Sequence, residues 1–123
     1  MGKFRYKIIQ EDLYNCFIIM CYGPYKDWKK FIKKEYGMVK EDDDSILYTI
    51  QGASISSVQQ IKKPGNFHYI MWVSSKTDML SIVHEAIHTG FHILSDKGVK
   101  YDVEHSEVVA YYIEFIVKTF LKL

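Results

Sequence analysis

The chain has 123 residues, a hydrophobic fraction of 48% and a formal net charge of +1. These values predict one soluble globular domain over residues 1–123, with enough apolar residues for a core. The near-neutral charge gives no indication of a nucleic-acid partner, and no apolar run is long enough for a membrane span or a signal peptide.

The first third of the chain predicts two strands followed by a helix. Residues 4–10 and 13–22 have strand-like sequences joined by a tight connection, and the second is a nearly continuous apolar run, typical of a central strand. Pro24 suits the start of a helix and Gly37 its end, so residues 25–36 are predicted to form an amphipathic helix.

Lysines and cysteines in this region bear on partners and compartment. The polar face of the predicted helix carries Lys26, Lys29, Lys30, Lys33 and Lys34. A basic patch for nucleic acid is one interpretation, but the net charge favours a solvated face whose lysine stems cover apolar surface. Cys16 and Cys21 should point to opposite faces of one strand, so an internal disulfide is not expected and a reducing, cytoplasmic compartment fits.

The middle of the chain predicts further strands and turns. Residues 41–44 are predicted to form an acidic surface loop, and their carboxylates lack the regular spacing of a calcium site. Residues 45–51 are predicted as a strand, and residues 52–60 as a second strand or an irregular crossing. A turn at residues 63–66 precedes a strand at residues 67–73.

The most informative motif follows this strand. His84-Glu85-Ala86-Ile87-His88 is an H-E-x-x-H sequence within an amphipathic helical pattern. Helical residues four apart lie about 40° apart around the axis and about 6 Å along it, so both imidazoles can converge on one cation. Glu85 flanks this face, where it can reach a metal-bound water as a general base but cannot reach the metal.

Local signals predict the bounds of this helix and of the next one. Ser75 or Thr77 can cap the start of the motif helix, and Gly98 suits a left-handed C-terminal cap. Asp102 can cap a last helix over residues 103–121.

A catalytic zinc site needs a third protein ligand. Positions 91 and 94 are Phe and Leu, which excludes the H-E-x-x-H-x-x-G-x-x-H class. His92 is rotated well away from His84 and is interpreted as a helix-surface or core-edge residue. The better candidates lie on the last helix and are Glu104, His105, Glu107 and Glu114.

The His84-Glu85-x-x-His88 motif, the turn at Gly98 and the sequence of residues 107–111 together resemble the zincin metallopeptidases whose third ligand is a Glu on the following helix. The resemblance covers about residues 78–120. It implies one Zn²⁺ per chain held by His84, His88 and Glu107, with Glu85 as the general base. Glu104 and His105 stay open as alternatives to Glu107.

The resemblance also implies a fold and a location. It implies a small α+β, zincin-like domain in which a mostly antiparallel sheet packs against an active-site helix and a C-terminal helix. The pattern is similar to small bacterial and phage-encoded HExxH proteins, which implies a cytoplasmic location, in the host cell where the protein is phage-encoded.

The chain departs from the thermolysin-like pattern one turn after Glu107. There Tyr111 replaces the Asp that orients a zinc histidine in those enzymes, so Glu114 could substitute for that Asp and Tyr111 could donate to an oxyanion. Glu107, Tyr111, Glu114 and Lys118 also share one polar arc of the last helix, which could instead be a solvated face.

In zincins, the strand before the active helix often forms the rim of the cleft and pairs with extended substrate. The resemblance would give this role to the segment around residues 68–72. Its histidine, His68, is interpreted either as an oxyanion donor or as a strand histidine satisfied within the fold.

Three classes of function follow from the sequence. The first is a zinc-dependent hydrolase, most simply a small metallopeptidase acting on a peptide or protein substrate. The alternative is a non-catalytic or regulatory zinc-binding module that acts by binding a partner protein. A structural zinc protein is the third, and a fourth protein ligand would favour it.

Overall fold

A computed structural model describes residues 3–37, 51–59, 61, 67–100 and 102–123, with the side chains of residues 56 and 57 excepted. This part of the chain contains four strands and three α-helices. In chain order they are β1 (Arg5–Glu11), β2 (Cys16–Tyr22), α1 (Tyr25–Tyr36), β3 (Gly52–Gln59), β4 (Phe67–Val73), α2 (Met79–Asp96) and α3 (Ser106–Leu121), with a 3₁₀ turn at Val103–His105 before α3.

The four strands form one sheet in the order β1-β2-β4-β3. β1 pairs with β2 and β3 pairs with β4 in antiparallel fashion, whereas β2 and β4 are parallel. A register shift between Ile55 and Val58 marks a bulge in β3. The predicted α+β class with a mostly antiparallel sheet is therefore confirmed.

The sheet has helices on both faces because residues of β2 and β4 alternate between two cores. Ile18 and Met71 belong to the core under α2 and α3, whereas Ile19 and Trp72 belong to the core under α1. This two-sided burial explains the continuous apolar sequence of β2. The predicted opposite orientation of the two cysteines is confirmed, since Cys16 lies in the first core and Cys21 in the second.

α1 has the bounds that the sequence predicts. It begins after Pro24 and ends at Gly37, whose φ of 70° is left-handed and whose N–H donates to the last turn of the helix. Trp28 stacks on Trp72 of β4 with ring centroids 4.9 Å apart. The lysines of α1 lie on the opposite side, where Lys29 is half-buried and the others are exposed.

The connection between β1 and β2 is longer than predicted. Residues 12–15 form a turn, so β2 begins at Cys16 rather than at residue 13. The carboxylate of Glu11 accepts a hydrogen bond from the N–H of Tyr14 (2.7 Å), and Asn15 has a φ of 53°. A side chain that accepts a backbone hydrogen bond and an Asn in a left-handed conformation are typical of turns. The apolar pattern of this segment suggested a strand instead.

The ends of α2 are partly as predicted. Asp78 caps the start by accepting a hydrogen bond from the N–H of Ser81, so the predicted caps Ser75 and Thr77 are wrong. Gly98, with a φ of 78°, follows the end of the helix as predicted. Its N–H and that of Val99 donate to carbonyls of the last turn, as in a Schellman motif.

α2 and α3 form an antiparallel hairpin. The Nζ of Lys76, just before α2, donates a hydrogen bond to the carbonyl of Leu123, just after α3. Near the middle, Gly90 lets α3 approach closely, since a Cβ atom there would lie 3.2 Å from Ile113 Cγ1 and 3.4 Å from Ile116 Cδ1. These contacts fix the register between the two helices.

Several predicted features lie outside the described residues: the acidic loop at residues 41–44, the turn at residues 63–66 and nearly all of the strand at residues 45–51. Within the described part, residues 52–59 form a strand, and Asp102 caps the turn before α3 as predicted. No α-helix described here is both long and apolar enough to cross a membrane.

Candidate metal centre

The two histidines of the motif lie side by side on the exposed face of α2. Their ring centroids are 4.8 Å apart, and the side chain of His84 is 67% exposed. His88 is exposed as well. This arrangement confirms that the motif lies within a helix and that both imidazoles share one face, where solvent and dissolved ions can reach them.

Glu85 lies next to this pair but is buried, with 6% of its surface exposed. Its Oε2 is 3.9 Å from Nε2 of His84. Above it runs the backbone of β3 at Gly52, where an added Cβ atom would lie 2.6 Å from Glu85 Cγ and 2.8 Å from Oε2. The absence of a side chain at position 52 therefore makes room for the carboxyl group.

Sequence reasoning did not identify Gly52 as part of the site. The available signal was a glycine at the start of a predicted strand, which often marks a close approach of another group. One turn further along α2, the hydroxyls of Ser54 and Thr89 share a hydrogen bond of 2.8 Å. β3 therefore contacts α2 at two successive points and fixes the helix beside the sheet.

His92 continues the row of histidines. Its ring centroid is 6.4 Å from that of His88, and its side chain is partly buried, as the core-edge interpretation predicts. Its Nδ1 atom is buried and has no hydrogen-bond partner among the described residues. The more exposed pair, His84 and His88, is thus the part of the row that is available to a ligand.

The predicted third ligand, Glu107, is not brought together with these histidines. It is exposed near the start of α3, six residues before Ile113, which contacts Gly90. Because the hairpin is antiparallel, those six residues place Glu107 about 9 Å from this contact towards the C-terminal end of α2. His84 and His88 lie on the other side of Gly90.

The hairpin places the alternative third ligands, Glu104 and His105, no closer to the two motif histidines. His105 and Glu104 belong to the turn before α3. The His105 ring contacts the Asp102 carboxylate, and hydrogen bonding with His105 lowers the pKa of Asp102. Among the residues described, no group of three or more His, Cys, Asp or Glu side chains is arranged to hold a metal ion.

Tyr111 and Glu114 lie on the solvated arc of α3. Tyr111 is 66% exposed and lines a groove with Leu13 and Phe115 beside the β1–β2 turn. Glu114 forms an ion pair with Lys118 at 2.7 Å. These contacts do not involve the histidine pair, so they give no support to the predicted oxyanion and orienting roles.

His68 forms its hydrogen bond within the fold, on the face of the sheet opposite to α2. It is buried, and its Nδ1 shares a hydrogen bond of 2.8 Å with the hydroxyl of Tyr36 on α1. Burial lowers the pKa of His68 below its ordinary value. β4 itself pairs with β2 on one side and β3 on the other, so its prediction as a substrate-binding rim is wrong.

The residues therefore fit a zinc site in part. The described chain supplies two adjacent imidazoles and a neighbouring carboxylate, but not the third protein ligand that a catalytic zinc site requires. Comparisons of the chain with protein-family models, with curated proteins and with solved structures found no match. The chemistry of these side chains is therefore the basis for assigning a function.

Proposed function

We propose that this protein is a zinc-dependent hydrolase of the peptidase type, with its site at His84, Glu85 and His88. One observation carries the proposal: a carboxyl group is held beside two exposed, adjacent imidazoles in a space that Gly52 leaves open. A solvated glutamate on a helix surface needs no such accommodation. The burial of Glu85 next to potential metal ligands instead suits a group whose position matters for chemistry.

Each side chain has a distinct role in this proposal. His84 and His88 would contribute two ligands to one zinc ion per chain, which would act as a Lewis acid on a substrate carbonyl. Glu85 would accept a proton from the attacking water and return a proton to the leaving amine of a peptide. Its burial favours this role, because a carboxylate fixed by packing is already oriented for proton transfer.

Metal binding is the first test. Protein purified without added metal is dialysed against Zn²⁺ and its zinc content is measured by elemental analysis. We expect about one equivalent in the wild type and in His105→Ala, and little in His84→Ala or His88→Ala, because a two-histidine site loses half its ligands. A wild type that binds no zinc, or a His105→Ala protein that loses it, would contradict the proposed site.

A second candidate function is a binding module, and the surface of α2 favours it. Beside the histidines lie Leu80, which is 86% exposed, and Val83, Ile87 and Phe91, which are each exposed by more than a third. Such a row of apolar side chains can dock a partner protein. In a binding module, zinc would have no catalytic role.

The substitution Glu85→Gln separates the two functions. In a hydrolase it should leave zinc content intact and reduce cleavage of a peptide library by about 10²-fold or more, the usual contribution of a general base. In a binding module Glu85→Gln should be silent in a cellular assay, whereas Leu80→Lys should abolish the effect. Wild-type protein with bound zinc that cleaves no library peptide would favour the module.

A further inference from the structure

The solvent-facing side of α2 is poor in charge. Between Met79 and Ser95, a range that is described throughout, the only Asp, Glu, Lys or Arg is Glu85, and Glu85 is buried. The outer side of α1, by contrast, carries the exposed lysines Lys26, Lys30, Lys33 and Lys34. A helix face that stays in water normally has charged side chains of this kind. The exposed face of α2 therefore has the composition of a surface that another molecule covers.

Apolar side chains run along this face. We define the α2 strip as the four apolar residues that share one side of the helix, Leu80, Val83, Ile87 and Phe91. Leu80 is largely exposed, and the other three are each exposed by more than a third. Their exposed parts amount to a few hundred Å², well below the ~800 Å² per partner that a standard interface buries. The α2 strip alone would therefore hold a partner only weakly.

The motif histidines lie in the row next to the α2 strip, since His84 follows Val83 and His88 follows Ile87. Their rings are 4.8 Å apart, and together they can supply two of the four ligands of a tetrahedral zinc ion. Among the described residues, no third His, Cys, Asp or Glu is arranged with them to hold a metal ion. A zinc ion bound here can therefore accept two more protein ligands from outside the chain.

A second copy of the chain matches both features. In a two-fold symmetric pair, a contact from residue i to residue j is repeated from j to i. The members of the α2 strip are almost evenly spaced about Ala86, so in an antiparallel pair each end of one strip packs on the opposite end of the other. Ala86 is also midway between His84 and His88. His84 of one copy therefore lies opposite His88 of the second copy, and no exposed charge on this face opposes the approach.

We propose that two copies of this chain associate through their α2 strips and share one Zn²⁺, held by His84 and His88 of each copy. The inference rests on the proposed function, because it takes both histidines as zinc ligands. Four imidazoles occupy every position of a tetrahedral zinc ion and leave none for water. The dimer is thus a closed, inactive form of the proposed hydrolase, and a chain that holds its own zinc ion is the active form.

Sedimentation equilibrium during a zinc titration tests the shared ion. Metal-free protein should be monomeric, because the α2 strip is small. The mass should double at about half an equivalent of Zn²⁺ per chain, and a large excess should restore monomers, because each chain then binds its own ion. A dimer that persists in EDTA, or zinc uptake to one equivalent without a dimer at any stage, would overturn the shared site alone. Protein that takes up no zinc would contradict the proposed function as well.

Two variants locate the interface. Leu80→Lys places a charge in the α2 strip but keeps both histidines, so it should weaken zinc-dependent dimerisation by about tenfold or more and still bind zinc supplied in excess. Leu13→Lys is the matched control, because Leu13 is also highly exposed, at 76%, but belongs to the β1–β2 turn. It should dimerise as the wild type does. Equal dimerisation of the two variants would show that the α2 strip is not the interface.

Discussion

The Glu85 side chain fills the space next to Gly52, so there is no room for a side chain at position 52. The glycine brings the backbone of β3 to within van der Waals distance of a glutamate side chain, and the contact holds the carboxyl group beside His84. At the scale of single residues, then, a position without a side chain determines where the proposed base lies.

Gly52→Ala should destabilise the protein by about 1–3 kcal/mol, because a methyl group placed 2.6 Å from Glu85 Cγ forces the side chain or the strand to shift. The same substitution made in a Glu85→Ala background should be nearly neutral, since the obstructing atoms are gone. Chemical denaturation of the four proteins of this cycle measures the difference. An equal loss in both backgrounds would mean that strain in β3, not Glu85, is responsible.

At the scale of elements, the register of the α2–α3 hairpin decides which side chains can meet. Gly90 packs on Ile113 and Ile116, and this contact lies between Glu107 on one side and His84 and His88 on the other. The side chain of Glu107 is also on the exposed arc of α3. The position along the hairpin therefore separates Glu107 from the histidines.

Glu107→Ala is therefore expected to leave zinc affinity unchanged, whereas His88→Ala should lose it. Competition with a chelating dye measures both, and Glu104→Ala, another exposed carboxylate before α3, is the matched control. A loss of about tenfold or more in Glu107→Ala alone, the size expected for a residue that supports a metal, would require a hairpin register different from the one described.

The sequence predicted those elements whose bounds have local causes. Pro24 and Gly37 delimit α1, and Gly98 follows α2, because proline and glycine act through their own backbone preferences. The pairing of His84 with His88 follows from helix geometry alone. Each of these predictions needs only neighbours in the chain, and each is confirmed.

Predictions that depended on contacts between distant elements were less successful. Helical periodicity showed that Glu107 lies on a polar arc, but it contains no information on the register against α2. The resemblance to zincins implied that β4 forms the rim of the cleft, whereas its pairing with β2 and β3 places it inside the sheet. The closeness of Gly52 to Glu85 could not be predicted because it depends on how β3 crosses α2.

On the scale of the whole molecule, one sheet supports two cores. Alternate residues of β2 and β4 point into opposite layers, so neither layer can lose its order without exposing strands that the other layer needs. The two tryptophans, Trp28 and Trp72, both lie on the α1 side, while α2 and α3 account for most of the helix. Tryptophan fluorescence and helical circular dichroism therefore report on different layers.

We expect both signals to change together in a single unfolding transition, as is usual for a domain of this size. Ile116→Ala, a substitution in the α2–α3 core, should lower the stability by about 2–5 kcal/mol and shift the tryptophan transition as much as the dichroism transition. Phe31→Ala, a less buried position on α1, is a milder control. Separate midpoints for the two signals would show that the layers unfold independently.

The parallel pairing of β2 with β4 also has a consequence for biosynthesis. Phe17 pairs with His68, so β2 emerges from the ribosome 51 residues before its partner. Until then a strand that is apolar on both faces has one edge without its native neighbour, the kind of surface that promotes aggregation. Translation products that stop before Val73 should accumulate as insoluble material or depend on chaperones, whereas release of the complete chain allows the sheet to close.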